Sequence, residues 1–258
     1  MIDDIVKRIY RSKSDIENLS RLRTLISDEA DNFDYKKVVV NKPWGYEYLL
    51  YENTHVAIWV LYIKQNHATS MHCHPNKKSS LIVLEGSVIC SHLEGYIERK
   101  AGEGLLIDEA VFHATKAVSK DGAFVMEIES PPNKKDLVRL KDEYGREHQG
   151  YEGLEKMSKD FNKYEYIDFH NGNFAKKCIK TIRNCSISIR FHSNPEDIHG
   201  LLMQEQGQIV CIIRGKLHDK SGNIVLSCGE VGVLPDILSK TKTVTFGDIM
   251  YLTIHHKK

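Results

Sequence analysis

The chain lacks the features of membrane, secreted and disulfide-stabilised proteins. Across its 258 residues no apolar run approaches the roughly 18 residues of a membrane-spanning helix. The N-terminus is charged throughout and contains no apolar signal-peptide core. The six cysteines are scattered without a C-x-x-C pair, which is typical of reduced thiols. We therefore predict a cytoplasmic protein with no membrane partner.

The chain also lacks an excess of charge of either sign. It contains 36 Lys and Arg against 35 Asp and Glu, a formal net charge of +1. Because broad binding to nucleic acid needs a basic face, we expect no nucleic-acid partner. The composition, 41% hydrophobic and 28% charged, is that of a globular protein with a sizeable core.

Residues 1–35 are predicted to be a helical segment. Apolar residues recur there at helical spacing in two stretches. These residues are Ile2, Ile5, Val6 and Ile9, then Ile16, Leu19, Leu22, Leu25 and Ile26. Such an amphipathic pattern indicates a packing appendage or a surface for a homodimer.

From residue 38 onwards, short apolar or alternating runs are separated by turn residues. This pattern predicts an all-β fold, a sandwich or a barrel. The runs span residues 46–51, 56–63, 80–90, 104–107 and 124–128. We predict a helical segment at 1–35, a first β domain at 36–146, a linker at 147–174 and a second β domain at 175–258.

The second β block resembles the first in sequence. Residues 80–88, SLIVLEGSV, resemble residues 208–217, QIVCIIRGKL, and residues 102–113 resemble residues 229–240. Because both matches occur in the same order and at similar spacing, we predict a duplicated fold.

Three histidines form a candidate metal site. His72 and His74 are two residues apart, so on a strand both side chains leave the same face. His113 follows later, on a strand that can close against the first. Converging neutral imidazoles favour Zn, Fe, Ni, Cu or Mn. An H-x-H pair alone is often only structural, but a Gly-bounded strand and a late third histidine make a rarer combination.

The surrounding residues resemble the cupin superfamily. NHATSMHCHPNKKSSLIVLEG (66–86) carries the H-x-H pair and closing Gly of the first cupin motif. GEGLLIDEAVFH (102–113) carries the Gly and late His of the second motif. The chain departs from the motifs at three places, which are Asn66 for Gly, Asp108 for Pro, and Lys77 or Lys78 for the Glu ligand.

The segments on either side of these motifs resemble one particular group of cupin domains. NKPWGYEYLL (41–50) and KDLVRLKDEYGR (135–146) are similar to the entry and closing signatures of the cupin domain of type II mannose-6-phosphate isomerases. The resemblance covers residues 41–146. It implies two cupin-type β-barrels of the jelly-roll or double-stranded β-helix type, the second degenerate, after the N-terminal helical segment. It also implies one divalent metal ion (Zn, Fe, Mn or Ni) on the three histidines.

The resemblance further implies roles for acidic and basic residues. In such cupins a metal polarises a carbonyl or hydroxyl while a carboxylate or histidine moves the proton. Glu127 and Glu129 share one face of a strand. If that face is interior, either could be the base or replace the missing ligand; on an edge strand both would face solvent.

Basic residues near these motifs are candidates for binding an anionic sugar substrate. Lys77 and Lys78 follow the H-x-H pair directly, and Arg139 lies in the closing signature. Cations at these positions suit a phosphate, sugar nucleotide or carboxylate. An exposed turn for the lysines and a structural ion pair for the arginine are the alternatives.

Three functions are consistent with these residues. The leading hypothesis, inherited from the resemblance, is a metal-dependent isomerase or epimerase of a phosphorylated or nucleotide-linked sugar in surface polysaccharide synthesis. A three-histidine site without a carboxylate is also the ligand set of iron-dependent cupin dioxygenases. Loss of the usual Glu favours the third hypothesis, a non-catalytic sugar-binding or regulatory protein.

The second block is expected to pack against the first barrel without binding metal, either completing its wall or forming a dimer surface. Aligning the shared glycines places Leu201 and Met203 opposite His72 and His74, and Lys240 opposite His113. Leucine cannot ligate a metal, methionine is too soft for a borderline ion, and a protonated lysine repels a cation.

Overall fold

The computed structural model describes residues 5–22, 33–147, 149–158, 164, 166–169 and 178–257. Strands predominate throughout these residues, which confirms the predicted all-β class. No helix among them has the length and hydrophobicity needed to cross a membrane.

The first region, within residues 5–158, consists of strands and one α-helix. In chain order the elements are β1 (Val6–Ile9), α1 (Lys13–Leu22), β2 (Val39–Lys42), β3 (Gly45–Glu52), β4 (Ala57–Ile63), β5 (Met71–Cys73), β6 (Lys78–Glu85), β7 (Ser87–His92), β8 (Gly95–Lys100), β9 (Gly104–Ile107), β10 (His113–Ala117), β11 (Ala123–Ser130), β12 (Val138–Lys141) and β13 (Met157–Ser158). Two 3₁₀ turns, Tyr35–Lys37 and Leu154–Lys156, precede β2 and β13.

The first region is a double-stranded β-helix built from two sheets. The large sheet has eight strands in the order β1-β9-β6-β11-β4-β3-β2-β13, and the small sheet has five in the order β12-β5-β10-β7-β8. Apolar side chains of both sheets, such as Trp59 and Leu81 from the large and Cys90 from the small, meet in one core. The inner face of the large sheet therefore closes against the small sheet.

The N-terminal segment differs from the predicted helix. Residues 6–9 form β1, which pairs in parallel with β9, and α1 begins only at Lys13. Val6 and Ile9 are β-branched and suit a strand at the open edge of the sheet. Their spacing along the chain is compatible with a helix, but pairing with a strand almost 100 residues away decides the structure. Ile2, Leu25 and Ile26 lie outside the described residues.

Helix α1 is fixed to the small sheet. The Asp15 amide donates to Ser12 Oγ (3.1 Å), and the Ser12 amide donates to Asp15 Oδ2 (2.8 Å), which caps the helix. Oδ1 of the same carboxylate accepts a hydrogen bond from the Phe112 amide at 2.8 Å. The helix cap thus holds the chain directly before His113.

Part of the segment predicted as a linker belongs to the large sheet. Met157 and Ser158 pair with Val40 and Val39 as β13 on β2. Further along, the Ile167 amide donates to Leu50 O at 2.6 Å. Residues 157–158 and Ile167 are therefore attached to the first region by backbone hydrogen bonds.

The second region, residues 178–257, has a smaller set of elements. They are β14 (Cys178–Ile182), β15 (Cys185–His192), α2 (Ile198–Met203), β16 (Ile209–Arg214), β17 (Leu217–Asp219), β18 (Ile224–Leu226), β19 (Val231–Val233), α3 (Leu234–Lys240), β20 (Thr243–Val244) and β21 (Ile249–His256).

The two regions share a strand order. The second region's large sheet, β14-β15-β21-β16-β19, repeats the order β3-β4-β11-β6-β9, and its small sheet, β18-β17-β20, repeats β8-β7-β10. Gly86 after β6 and Gly215 after β16 have φ angles of 83° and 84°. Helix α2 lies between β15 and β16, the chain position that β5 has between β4 and β6.

The regions pack together through their large sheets. One hydrophobic core contains Ile58 and Met126 of the first region with Ile187 and Leu252 of the second. The Ser80 hydroxyl also donates to Gly229 O at 2.7 Å across this contact. The second region therefore covers the outer face of the eight-stranded sheet.

Candidate metal centre

The three predicted histidines meet at one end of the small sheet. His72 lies on β5, His74 directly follows it, and His113 begins β10, where it pairs with His72 in register. One ring nitrogen of each histidine lies within 4.8 Å of those of the other two. They line a small cavity of about 60 Å³ between the two sheets of the first region.

Backbone carbonyls orient all three imidazoles in the same way. Nδ1 donates to Ser70 O in His72 (2.7 Å), to Asp136 O in His74 (2.7 Å) and to Val111 O in His113 (3.0 Å). A proton on Nδ1 leaves the Nε2 lone pair free, which is the usual arrangement behind a metal-binding histidine. Nε2 of His74 is buried and has no hydrogen-bond partner among the described residues. This uncompensated acceptor fits a metal ion.

The surroundings keep the three imidazoles neutral. Burial lowers the pKa of His72 and of His74 well below the ordinary value of 6.5, and lowers that of His113 to about 4. A metal binds the neutral form of imidazole. The histidines are therefore in the ligating state at neutral pH without having to lose a proton.

Glu127 faces the histidines from the large sheet. Its Oε1 lies 3.9 Å from Nε2 of His74. Strand β11, which carries it, lies between β6 and β4 at the centre of the sheet, so the alternative of a solvent-facing edge strand does not hold. Burial, assisted by the charge of Glu129, raises the pKa of Glu127 to about 7 despite the nearby Lys134. A carboxylate with this pKa can both accept and return a proton near neutral pH.

Glu129 faces the same cavity but is ion-paired. Its Oε1 lies 3.0 Å from Nζ of Lys77 and 2.9 Å from Nζ of Lys134. Burial alone would raise the pKa of Glu129, but Lys134 and Lys77 hold it below the usual value. Glu129 is therefore an ionised anchor for two lysines, and Glu127 is the carboxylate adjacent to the histidines.

The two adjacent lysines point to opposite sides of the large sheet. Lys77 is buried in the cavity wall, where its ammonium group also donates to Asn133 O at 2.9 Å. Lys78 begins β6 with its side chain on the outer face and pairs with Glu230 of the second region at 2.9 Å. The structure therefore does not bring Lys78 to the cavity, because neighbouring residues of an extended chain face opposite sides.

Arg139 lies beside the histidines on β12. It is paired in register with His72 on β5, and its guanidinium group lines the cavity. Its Nη1 donates to the carbonyl oxygens of Gln149 and Gly150. Nε is buried and has no hydrogen-bond partner among the described residues.

Several cavity residues escaped the sequence analysis. Lys134 pairs with Glu129 and lies 3.8 Å from the ring centroid of Trp59. Tyr151 and Glu152 reach the cavity from a segment whose Gly-rich, charged sequence indicated a linker. No local pattern marks these three residues, because their partners lie on strands distant in sequence.

Comparison with known proteins finds similar solved structures but assigns no family. No protein-family profile and no curated protein matches the chain. The solved structures that match include cupins and other double-stranded β-helix proteins. These structures do not confirm the resemblance to type II mannose-6-phosphate isomerases.

Three of the matching structures illustrate the range of identity and coverage. A sugar phosphate isomerase-like protein from Acidithiobacillus ferrooxidans has 16% identity and a TM-score of 0.30, covering 33% of this chain and 56% of that protein. A cupin-2 domain protein from Shewanella frigidimarina has 22% identity and a TM-score of 0.31, covering 35% and 83%. The capsular polysaccharide assembling protein CapF from Staphylococcus aureus has 16% identity and a TM-score of 0.35, covering 40% and 34%. The chain thus spans about half of the first of these proteins and a third of the last.

Proposed function

We propose that the protein is a metal-dependent isomerase or epimerase of an anionic sugar. The observation that carries this proposal is the convergence of three neutral imidazoles, each with Nδ1 held by a carbonyl, opposite the protonatable carboxyl of Glu127. His72, His74 and His113 would hold one divalent ion.

The two halves of this site match the two needs of such a reaction. Aldose–ketose isomerisation and epimerisation move a proton from carbon and place negative charge on an adjacent oxygen. A divalent ion, when bound, supplies the Lewis acid that stabilises this charge. Glu127 takes the proton from carbon and returns it, since its pKa of about 7 allows both protonation states at neutral pH.

The cations of the cavity support an anionic substrate. Lys77 is neutralised by Glu129 at 3.0 Å, whereas Arg139, beside His72, is paired with Glu152 only at 3.6 Å. Its buried Nε has no hydrogen-bond partner in the described part of the chain. Arginine binds phosphate and carboxylate groups through paired hydrogen bonds. A phosphorylated or nucleotide-linked sugar therefore fits the site better than a neutral sugar.

We further propose that the second region is a cupin-like barrel without a metal site. Leu201 and Met203, which the alignment set opposite His72 and His74, lie on helix α2 rather than on a strand. Lys240 lies at the end of α3, whereas His113 lies on a strand. The second region thus has no histidine pair on one strand face at this position.

Metal analysis combined with hydrogen exchange at carbon tests the function. The protein is purified without added metal, its metal content is measured, and it is then incubated in ²H₂O with a panel of sugar phosphates. Incorporation of deuterium into the sugar by the wild type and its loss in Glu127→Gln, with metal retained, would support the proposal. Tight binding of a sugar phosphate without exchange would instead support the non-catalytic alternative.

A second function is favoured by one observation. Within the described part of the chain, the cluster whose potential ligand atoms all lie within 4.8 Å of one another consists of His72, His74 and His113 and contains no carboxylate. A three-histidine iron site of a cupin dioxygenase has this ligand set. Bound iron together with consumption of O₂ would favour this alternative over the isomerase.

A further inference from the structure

Three buried cations converge on a single carboxylate at the edge of the cavity. Glu152 pairs with Lys42, with Arg146 Nη1 at 2.5 Å and with Arg139 Nη2 at 3.6 Å. The side chains of all four residues are at most 10% exposed. We call Lys42, Arg139 and Arg146 the cation cluster.

Glu152, the carboxylate that the cation cluster surrounds, lies on a short irregular segment, residues 149–153. Gly150 and Gly153 flank Tyr151 and Glu152, and the segment belongs to no strand or helix. Side-chain contacts hold it in place, since Glu152 reaches the cation cluster and the Tyr151 hydroxyl donates to Glu47. Because it contributes nothing to a sheet, the segment can leave without breaking one.

The charges of the cluster balance only while Glu152 is present. Arg146 is also paired with Asp142 (2.8 Å), and Lys42 lies 3.4 Å from Glu47. The three cations thus face at most three carboxylates, one of which, Glu47, is shared with Lys134 at 3.4 Å. Glu152 is the carboxylate on the irregular segment. Withdrawing it leaves one buried positive charge, which is costly unless another anion takes the place.

The cation cluster has more hydrogen-bond donors than the Glu152 carboxylate can satisfy. Nε of Arg139 is buried and has no partner among the described residues, while Nη1 of the same group is occupied by Gln149 O and Gly150 O. If residues 149–153 withdraw, Nη1 and Nη2 become available together. Arg139 is the register partner of His72, so an anion bound there would set its attached carbon chain against the histidines.

We propose that residues 149–153 are a displaceable plug, and that the Glu152 carboxylate occupies the subsite of the substrate's phosphate or carboxylate group. Binding of the substrate anion to the cation cluster expels Glu152 and opens the cavity to the rest of the sugar. This inference deepens the proposed function by naming where its anionic substrate is anchored and which residues must move.

The test measures binding of inorganic phosphate to the full chain after chelation of metal, by isothermal titration calorimetry. Glu152→Gln should bind phosphate at least tenfold more tightly than the wild type, because the competing internal anion is gone. Glu155→Gln removes the same charge from an exposed side chain three residues away and should match the wild type. Adding Arg139→Gln to Glu152→Gln should abolish the gain. Equal affinities for Glu152→Gln and the wild type would overturn the proposal.

A second measurement needs no variant and covers the case in which Glu152→Gln does not fold. Hydrogen exchange of the wild type is followed with and without saturating phosphate. Faster exchange of the amides in residues 149–153 with phosphate supports displacement of the plug, and unchanged or slower exchange overturns it. Both readouts are independent of metal and turnover, so a chain that binds no metal would refute the proposed function and leave the plug to be judged separately.

Discussion

The two regions of the molecule share a strand order but enclose different interiors. Between its sheets the first region holds imidazoles, carboxylates and ammonium groups, among them His113, Glu127 and Lys77. The corresponding interior of the second region consists mainly of apolar side chains, among them Ile212 and Leu217. The main difference in the chain is that the first region has β5, with His72, where the second has helix α2. A common framework therefore carries a site only where a strand presents paired ligands to the interior.

Removing the histidine pair is the strongest test of whether the metal site belongs to the first region. We expect the double variant His72→Ala, His74→Ala to lose its metal ion completely while its far-UV circular dichroism stays that of the wild type, since packing supplies most of the stability. The matched control, His199→Ala with His218→Ala in the second region, should keep the metal. Full metal occupancy in the first variant, measured by elemental analysis, would show that the regions do not differ as described.

Replacing the carboxylate opposite the histidines should impair turnover without removing the metal. Glu127→Gln is expected to lower kcat by about 10²–10⁴, the range for loss of a general base. Glu94→Gln, an exposed residue of the same region, serves as the control and should be fully active. Loss of metal in Glu127→Gln would instead make this carboxylate a ligand.

The two neighbouring lysines allow a comparison of the two faces of one sheet. Lys77→Ala leaves Glu129 buried with one of its two partners missing, and is expected to lower the free energy of unfolding by about 3–5 kcal/mol. Lys78→Ala removes a partly exposed pair with Glu230 and should cost about 1 kcal/mol or less. Urea denaturation measures both. Equal losses of unfolding free energy would mean that the ion pair in the cavity contributes no more to stability than the ion pair between the regions.

The stability of the metal-free protein should fall in mild acid. Below the ordinary pKa of 6.5, unfolded His72, His74 and His113 bind protons that the folded chain excludes, which destabilises the fold. Glu127 acts in the opposite direction, because its raised pKa of about 7 lets the folded chain bind a proton that the unfolded chain releases above 4.5. The net difference of about two protons corresponds to roughly 2–3 kcal/mol per pH unit between pH 6 and 5.

Urea titrations with chelator at pH 7.0, 6.0 and 5.0 measure this slope. The double variant His72→Ala, His74→Ala should show little of it, since the one proton that His113 still excludes is offset by the one that Glu127 binds. An unchanged slope in that variant would assign the acid sensitivity to groups outside the site.

The smallest expected effect tests the equivalence of the two frameworks. At Gly86 and Gly215 a Cβ would stand 2.6 Å from the carbonyl oxygens of Gly122 and Asp248, at nearly identical positive φ. Alanine at either position should therefore lower the free energy of unfolding by a similar amount, about 1–3 kcal/mol. A large loss at one position with none at the other would argue against equivalent turns.

The sequence predicted the strand framework and the histidine cluster because both depend on local periodicity. The spacing of His72 and His74 puts both on one strand face, and alternation puts Glu127 and Glu129 on another. The sequence could not decide that Lys77 faces inwards and Lys78 outwards, since the strand boundary between them depends on pairing with distant strands. Glu152 was missed for a related reason, because its role depends on cations brought together from β2, β12 and the turn that follows β12.

Strand β11 presents carboxylates on one face and apolar side chains on the other, and this limits where residues can be inserted or deleted. Glu127 and Glu129 face the cavity, while Met126 and Ile128 belong to the core shared with the second region. Deleting or inserting one residue within Ala123–Ser130 would turn carboxylates into that shared core and thioether and alkyl groups into the cavity. Gene variants that survive with an altered length are therefore expected to carry the change in the turns on either side of this strand.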